Sequence, residues 1–556
     1  MLVPDDVQTR EASQRDATPL IQDFNRLREH RRHWDDQWQE IADHGLGRRD
    51  YTVKREPGRQ RNVRIYDTTM ADSNGLLAAA LHALLTNPST SWFDLAFQSP
   101  QFNEIDESAR WLEAVRQVMT NSFRRPESGF TTQMHEFYTD LTGFCTACVF
   151  VEDDVGKGPS FSARPMGEIF IDEDFAGNIT VTYRKFTLKA WQAVAQFGKK
   201  NVPRAQDNVK HERGDVEMDF IHLVRKRDQP LPGNIFAQGM PWESIYVDLD
   251  SSKVILEGGY HEMPYLTSRW SKDAGELYGR GPGITSLPSA KMLNAIWRTY
   301  IRSAEKQADP PLLVEDDGVM PGSQLRTTPN SQISIRPTGS GQPPVQYLEH
   351  RGRYDVADNV IETFTSRIQR AFHNEIIQAF QDPRMTATQV IELARLSQRI
   401  LSPVLGRMQT EILEPMINRT FGILSRANAF PPPPDFLQGQ ELRIDYVSPV
   451  ARAQRASESQ AVLDTFTALA AMAEADPGVL DNFNFDEAAR TLGDGNGIPL
   501  KVIRPRKEVG AIREERQRQQ EEQQQLEQAL QLAETASKFD QGGGAQAAPA
   551  QGQTLQ

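Results

Sequence analysis

Residues 278–311 read YGRGPGITSLPSAKMLNAIWRTYIRSAEKQADPP, and residues 351–380 read RGRYDVADNVIETFTSRIQRAFHNEIIQAF. In the first segment Leu293, Ile296, Trp297, Tyr300, Ile301, Ala304 and Ala308 recur at steps of three and four, which places them on one face of a helix. Lys291, Arg298, Arg302 and Lys306 fall on a different face. Asp309-Pro310-Pro311 should end that helix, because proline removes a donor and forces the residue before it out of the helical region. In the second segment the pattern repeats at Ala357, Val360, Ile361, Phe364, Ile368, Ala371, Phe372, Ile376 and Phe380. Two such helices predict an antiparallel hairpin whose apolar surface exceeds what its polar connection can cover.

On the N-terminal side, residues 69–86 predict an apolar helix, and Phe130 to Phe150 a second helix that runs into a strand. Between residues 148 and 260 short β-rich segments alternate with turns: Cys148 to Glu152, Glu168 to Asp172, Ile179 to Tyr183, Met218 to Val224, Ser244 to Asp248 and Val254 to Leu256. Ala176-Gly177-Asn178 and Asp250-Ser251-Ser252 supply the turn chemistry. The arginine-rich region from Arg26 to Arg64 has acidic residues interspersed and reads as a solvated helix and loop, with a subunit or DNA contact as the second reading.

On the C-terminal side, Thr386 and Gln389 have the form of a capping box. Apolar residues continue at helical spacing to Leu424, so an unbroken helix to Ala427 would reach about 60 Å. Pro403 and Pro415 should kink or divide it, and Pro431 to Pro434 should end the run. Leu442 to Val447 reads as a strand and Ala451 to Ala473 as helix. From Glu514 to Gln531 the chain is mostly Glu, Gln and Arg, too polar for a stable lone helix, and Gly542 to Gln556 is of low complexity.

Several blocks resemble one family, the head-to-tail connector or portal proteins of short-tailed phages. They are Tyr278-Gly279-Arg280-Gly281-Pro282-Gly283, Ala304-Glu305-Lys306 and Asp309-Pro310-Pro311-Leu312-Leu313-Val314, with Ile65-Tyr66-Asp67-Thr68-Thr69 and the Leu81 to Trp92-Phe93 stretch before them. Gly259-Tyr260, Pro264-Tyr265 and Arg269-Trp270 belong to the set, as do Met385-Thr386-Ala387-Thr388, Pro403-Val404-Leu405-Gly406-Arg407 and Tyr446-Val447-Ser448-Pro449 with Ala451 to Arg455. The resemblance covers residues 20 to 460 and is specific through the number and order of the blocks.

Composition sets bounds on this reading. A chain of 556 residues exceeds one hydrophobic core, so several domains are expected. Its 38% hydrophobic content and mean hydropathy of -0.56 are low for a self-contained enzyme of this size, as if apolar surface were buried between subunits or part of the chain were unfolded. A net charge of -13 argues against a protein that grips nucleic acid through basic patches, yet an acidic lumen would keep a passing duplex from sticking. No apolar run approaches the roughly 20 residues that span a bilayer, and Met1 to Arg15 lacks the apolar core of a signal peptide. Two cysteines are too few for a disulfide framework.

Motifs that suggest chemistry fail on detail. Cys145-Thr146-Ala147-Cys148 lacks the further ligands of a zinc site and the setting of a redox pair, so it reads as two small buried residues. Gly279 to Gly283 precedes a helix but has no Gly-Lys-Ser or Gly-Lys-Thr, and Pro282 removes an amide that a phosphate cradle uses; a tight entry turn fits better. Glu152-Asp153-Asp154, Asp172-Glu173-Asp174 and Glu315-Asp316-Asp317 read as solvated turns, not as converging metal ligands. Arg213-Gly214-Asp215 reads as chance.

The resemblance implies a mixed α/β, helix-rich portal fold assembled as a ring, expected to be a dodecamer. Residues 1–283 would form the wing, 284–309 and 351–380 the stem helices, 310–350 the clip, and 381–428 a tunnel loop and a long kinked helix. Residues 429–495 would form the crown, 496–538 a C-terminal barrel helix and 539–556 a disordered tail. The ring would sit at the head-tail junction of the virion after assembly in the bacterial host cytoplasm. Double-stranded DNA would pass through it without sequence specificity, while the terminase large subunit, the tail adaptor, and the major capsid and scaffolding proteins would be its partners. Neither catalytic residues nor a cofactor is expected. Lys291, Arg298, Arg302 and Lys306 are the candidate channel or subunit-contact stripe, Gln381, Asp382, Pro383 and Arg384 the candidate tunnel loop, and Glu315, Asp316 and Asp317 the candidate clip contacts. Another phage ring component, such as a tail adaptor or tube protein, is the alternative, and a packaging nuclease or ATPase fits less well.

Overall fold

The structure, a computed structural model, describes residues 10–11, 16–47, 65–87, 92–97, 99–103, 105–154, 156–228, 239–308, 312–314, 345–347, 354–379, 401–437, 442–445, 458–469, 477–495, 498 and 502–542. The chain divides into two compact units, Met1–Ala96 with Ala114–Pro432 and Leu442–Val450, and Phe97–Glu113 with Pro433–Glu441 and Ala451–Gln556.

In chain order the described elements are β1 (Arg10–Glu11), α1 (Thr18–Ile41), α2 (Thr69–Leu85), β2 (Asp94–Phe97), α3 (Pro100–Asn103), α4 (Asp106–Arg124), α5 (Phe130–Phe144), β3 (Thr146–Asp154), β4 (Gly158–Arg164), β5 (Ile169–Glu173) and β6 (Ile179–Lys189). Then come α6 (Ala190–Phe197), α7 (Pro203–Lys210), β7 (Glu217–Lys226), β8 (Trp242–Asp248), β9 (Lys253–Tyr260), β10 (Tyr265–Arg269), α8 (Pro282–Ala308), β11 (Leu312–Val314), β12 (Val345–Tyr347), α9 (Tyr354–Ala371) and α10 (Asn374–Ala379). The last are α11 (helical through 401–408), α12 (Glu414–Arg426), β13 (Leu442–Asp445), α13 (458–469), α14 (Phe485–Gly495) and α15 (Arg506–Gly542).

The first unit is built on a six-stranded antiparallel sheet in the order β1-β9-β8-β7-β6-β5. Successive side chains of a strand point to opposite faces, so the sheet carries two cores. Tyr183, Ile221, Leu223, Ile245 and Val247 pack with Phe24 and Leu27 of α1. Phe186, Met218 and Phe220 pack with Ala190, Ala193, Phe197 and Ala205 of α6 and α7. The six strands read from sequence between residues 148 and 260 are all present. Four elements were not legible there: β4, α6, α7 and, just beyond, β10, which flanks β3 in a three-stranded sheet.

Arg31 corrects the reading of its helix as solvated. It is buried, pairs with Asp35 at 2.9 Å, lies 3.5 Å over the Phe170 ring, and donates to the carbonyls of Met166, Gly167 and Ile169. Two of these carbonyls lie in the single turn Met166–Glu168 before β5 and the third on its first residue, so the arginine satisfies the backbone where the chain enters the strand. Arg26 and Arg32 stay exposed, as expected.

The entry turn to α8 owes its glycines to crowding. None of Gly279, Gly281 and Gly283 has a left-handed φ, but a Cβ on Gly279 would lie 2.2 Å from the Cys145 carbonyl oxygen, and one on Gly283 only 1.7 Å from that of Gly143. Helix α8 thus starts in backbone contact with the end of α5, and Gly279 N–H donates to Thr146 Oγ1 at 2.9 Å. Cys145 itself takes φ 62°. Both cysteines are buried and unpaired, and desolvation pushes their thiols up to about 12.

One helical expectation is corrected and a second is met in part. The pattern from Ala357 to Phe380 is not one helix: α9 stops at Ala371, His373 takes φ 56°, and α10 starts afresh at Asn374, whose amide donates to Ser73 Oγ at 2.7 Å. At Pro415, where the sequence predicts a kink or a division, the later helix loses its α-helical regularity without ending. A wide, π-helical turn at Gln409–Leu413 precedes it, and the rod continues to Arg426, ending at Asn428 (φ 51°) before the proline run. The capping box at Thr386 lies outside the described residues.

In the second unit, Phe97 stacks on Trp111 and Arg513 of α15 makes two 2.6 Å bonds to Asp486 of α14. Helix α15 is continuous across Glu514 to Gln531, although Leu526, Leu530 and Leu532 are exposed.

Candidate functional site: the basic face of a braced hairpin

The chain leaves α8, returns through the antiparallel pair β11–β12 (Leu312 opposite Tyr347), and enters α9, which packs on α8. The N-terminal half of α8 is braced from several sides. Asn294 is buried, its Oδ1 accepting from the backbone of Tyr66 (2.8 Å) and Asp67 (3.1 Å) while Nδ2 donates to His44 O at 2.7 Å. One asparagine thus satisfies three backbone groups of two segments far away in sequence.

Burial then falls off along the helix. Leu293 is fully buried, Ile296, Trp297 and Tyr300 are half-buried, and Met292 (50%) and Ile301 (38%) are exposed. Ala304 and Ala308 are exposed too, so the apolar stripe is only partly covered within one chain.

The basic stripe separates into two parts. Lys291 is tied to Glu40 of α1 at 2.5 Å. Arg298, Arg302 and Lys306 are exposed and have no ion pair among the described residues, the neighbouring Glu305 included. At about 1.5 Å and 100° per residue these three cations rise in steps of about 6 Å along one column, opposite the half-buried face that holds Ile296, Trp297 and Tyr300. Gln381, Asp382, Pro383 and Arg384, and likewise Glu315, Asp316 and Asp317, lie outside the described residues.

Two further polar clusters were not legible in the sequence. Arg269 at the end of β10 is 2% exposed; its Nε and Nη2 donate to Glu411 Oε1 (3.0 and 2.7 Å), its backbone N–H to Glu411 Oε2 (2.8 Å), and Nη1 to Glu173 (2.8 Å). Lys272 also bonds Glu173, whose carboxyl is held below its usual range by these two cations, so Glu173 is not the solvated turn residue expected. In the second cluster Arg419, fully buried, donates to Val151 O and Glu262 O, and Arg426 makes two bonds to the Glu262 carboxylate. The clues were faint: Arg269 ends a buried strand, and Arg419 interrupts an apolar helix face. Among the described residues no cluster of His, Cys, Asp and Glu could hold a metal ion, and no helix is long and apolar enough to cross a membrane.

Residues 17–503 match the family of bacteriophage head to tail connecting proteins. A probable portal protein of Bordetella phage BPP-1 is 31% identical over 547 residues, 95% of this chain and 96% of its own length. The portal protein of Salmonella phage epsilon15 is 27% identical over 519 residues, 90% of this chain and 91% of its own. With a braced helical hairpin, a mixed α/β lobe and a family match along nearly the whole length, this chain belongs to the bacteriophage head-to-tail connecting proteins, the family of phage portal proteins.

Proposed function

We propose that the chain assembles into a ring, a dodecamer on the family pattern, at one vertex of a phage head, where DNA passes through the central hole during packaging and ejection. In this reading α8 and α9 are the stem, residues 310–350 the clip that meets the terminase large subunit and later the tail adaptor, and residues 1–283 the wing. The long helix with the segment before it lies at the tunnel, and the residues beyond 429 form crown and barrel. Major capsid and scaffolding proteins surround the ring. Its role is structural, with ATP hydrolysis in the separate motor.

The observation that carries the stem assignment is the three-way division of α8 from residue 292 to residue 306. One face is half-buried, the opposite face is the column Arg298, Arg302 and Lys306, and the exposed apolar residues Met292 and Ile301 lie on the two flanks between them. A helix repeated around a ring meets a neighbour on each flank, so apolar flanks suit the subunit contacts. That leaves the basic column for the channel, favouring the channel reading over the subunit-contact one. Cations there would meet phosphates loosely and in a salt-dependent way.

Electron microscopy of the purified protein together with Arg298→Glu/Arg302→Glu tests this. Rings with a central hole should form for both proteins, and the variant should package DNA poorly. Variant chains that no longer form rings would assign the column to a subunit contact, and particles without a hole would count against the portal ring itself.

A further inference from the structure

Residues 401–426 form one rod whose backbone changes pitch once. At Gln409–Leu413 the Glu414 N–H donates to Gln409 O, one residue further back than in an α-helix. Pro415 has no N–H for the Glu411 carbonyl, so the irregularity is held on its N-terminal side.

The wide turn has a consequence for side chains. In an unbroken α-helix, residues eight apart differ by about 80° around the axis and residues seven apart by about 20°. The extra residue of the turn therefore swings Glu411 toward the column formed by Arg419 and Arg426, which are seven apart. All three reach β10 or the loop just before it, with reversed polarity. Glu411 meets Arg269 at the end of the strand, while Arg419 and Arg426 meet Glu262 before its start. A one-turn slip of about 5.4 Å would take Glu411 away from Arg269, and Arg419 and Arg426 away from Glu262, leaving buried charges without partners, so the arrangement favours one register.

The two clamps grip different halves of the rod. Arg407 of α11 shares the Glu411 carboxylate at 3.2 Å, so the first clamp holds the part before Pro415. The second holds only α12, where Gly422 leaves room for Glu262: a Cβ there would lie 2.2 Å from its Oε1. We propose that Gln409–Leu413 is a hinge, and that the Arg269–Glu411 pair is a latch that holds residues 401–408 independently of the Glu262 anchor on Glu414–Arg426. Releasing the latch frees residues 401–408 to open and move about the wide turn while α12 stays in place.

Hydrogen exchange by mass spectrometry on the intact chain tests this with two near-isosteric variants. Glu411→Gln should accelerate exchange of amides in 404–413 by about tenfold or more and leave 416–426 as in the parent protein. Glu262→Gln should leave 404–413 protected. Acceleration of both halves by Glu411→Gln, no acceleration by it, or loss of protection in 404–413 with Glu262→Gln would each overturn the hinge.

Discussion

Replacing Gly283 by alanine tests the packing that sets the direction of α8. The glycine lies in the first turn of the helix and its backbone torsion is open to any residue, so the objection to a side chain is purely steric. A Cβ would lie 1.7 Å from Gly143 O, half the 3.4 Å at which ordinary contact begins, with Gly143 C at 2.7 Å. Both obstacles are backbone, so no side chain can rotate away. Helix α8 and the end of α5 must part, loosening the contacts of Leu287 and Leu293. Overpacking costs about 1–3 kcal/mol where side chains can adjust, and backbone against backbone belongs at or above the upper end, about 3 kcal/mol. Gly75 in α2 is the control: nothing lies within 4 Å of its Cβ position, so Gly75→Ala should stabilise by about 0.5–1 kcal/mol through helix propensity alone. Chemical denaturation of the two variants at one protein concentration, with exchange of the peptides around 140–146 and 279–290, reads the difference. A Gly283→Ala midpoint at or above the parent's would refute the reasoning.

Two further predictions concern buried titratable groups. His222 is enclosed, stacked on Tyr246 at 3.9 Å, with Tyr265 Oη and Ser244 Oγ at 2.7 and 2.9 Å from its ring nitrogens; burial first, then Arg184 and Arg164, hold its pKa well below the usual value. Its folded pKa is depressed, so its contribution to stability is complete above the unfolded value of about 6.5 and is lost as pH falls from there toward the folded one, by up to about 1.4 kcal/mol per pH unit. The stability difference between the parent and His222→Gln, followed from pH 7.5 to 5, should shrink on acidification; a constant difference would reject a neutral buried imidazole. Cys145 and Cys148, both with thiols near 12, should resist a thiol reagent at pH 8 in the native protein and react as two thiols after denaturation; fast labelling of either in the native state contradicts the burial.

The elements that could be read from the sequence are those with a strong period. The strands between residues 148 and 260 announce themselves by β-rich runs between turns, and α8 by its three- and four-residue steps. The break at Phe372–His373 left no such mark, because Ile368, Ala371 and Phe372 keep helical spacing while the buried bond from Asn374 to Ser73 redirects the chain. Arg31 and Arg419 look like surface residues in one dimension. What buries them is a set of carbonyls, at Met166, Gly167 and Ile169 in one case and at Val151 and Glu262 in the other, more than a hundred residues away.

The sequence by itself determined the family, the helix-rich α/β character and the helical hairpin, since these depend on local periodicity and on the order of short blocks. Tertiary structure alone decided which charges of the hairpin are committed. Lys291 and Arg298 are seven residues apart and nearly aligned on the helix, yet α1 brings Glu40 to the lysine and no described residue brings an acid to the arginine. It also decided why the chain enters α8 through glycines: the close approach to Gly143 and Cys145 belongs to the packing of two helices and cannot be seen along either one.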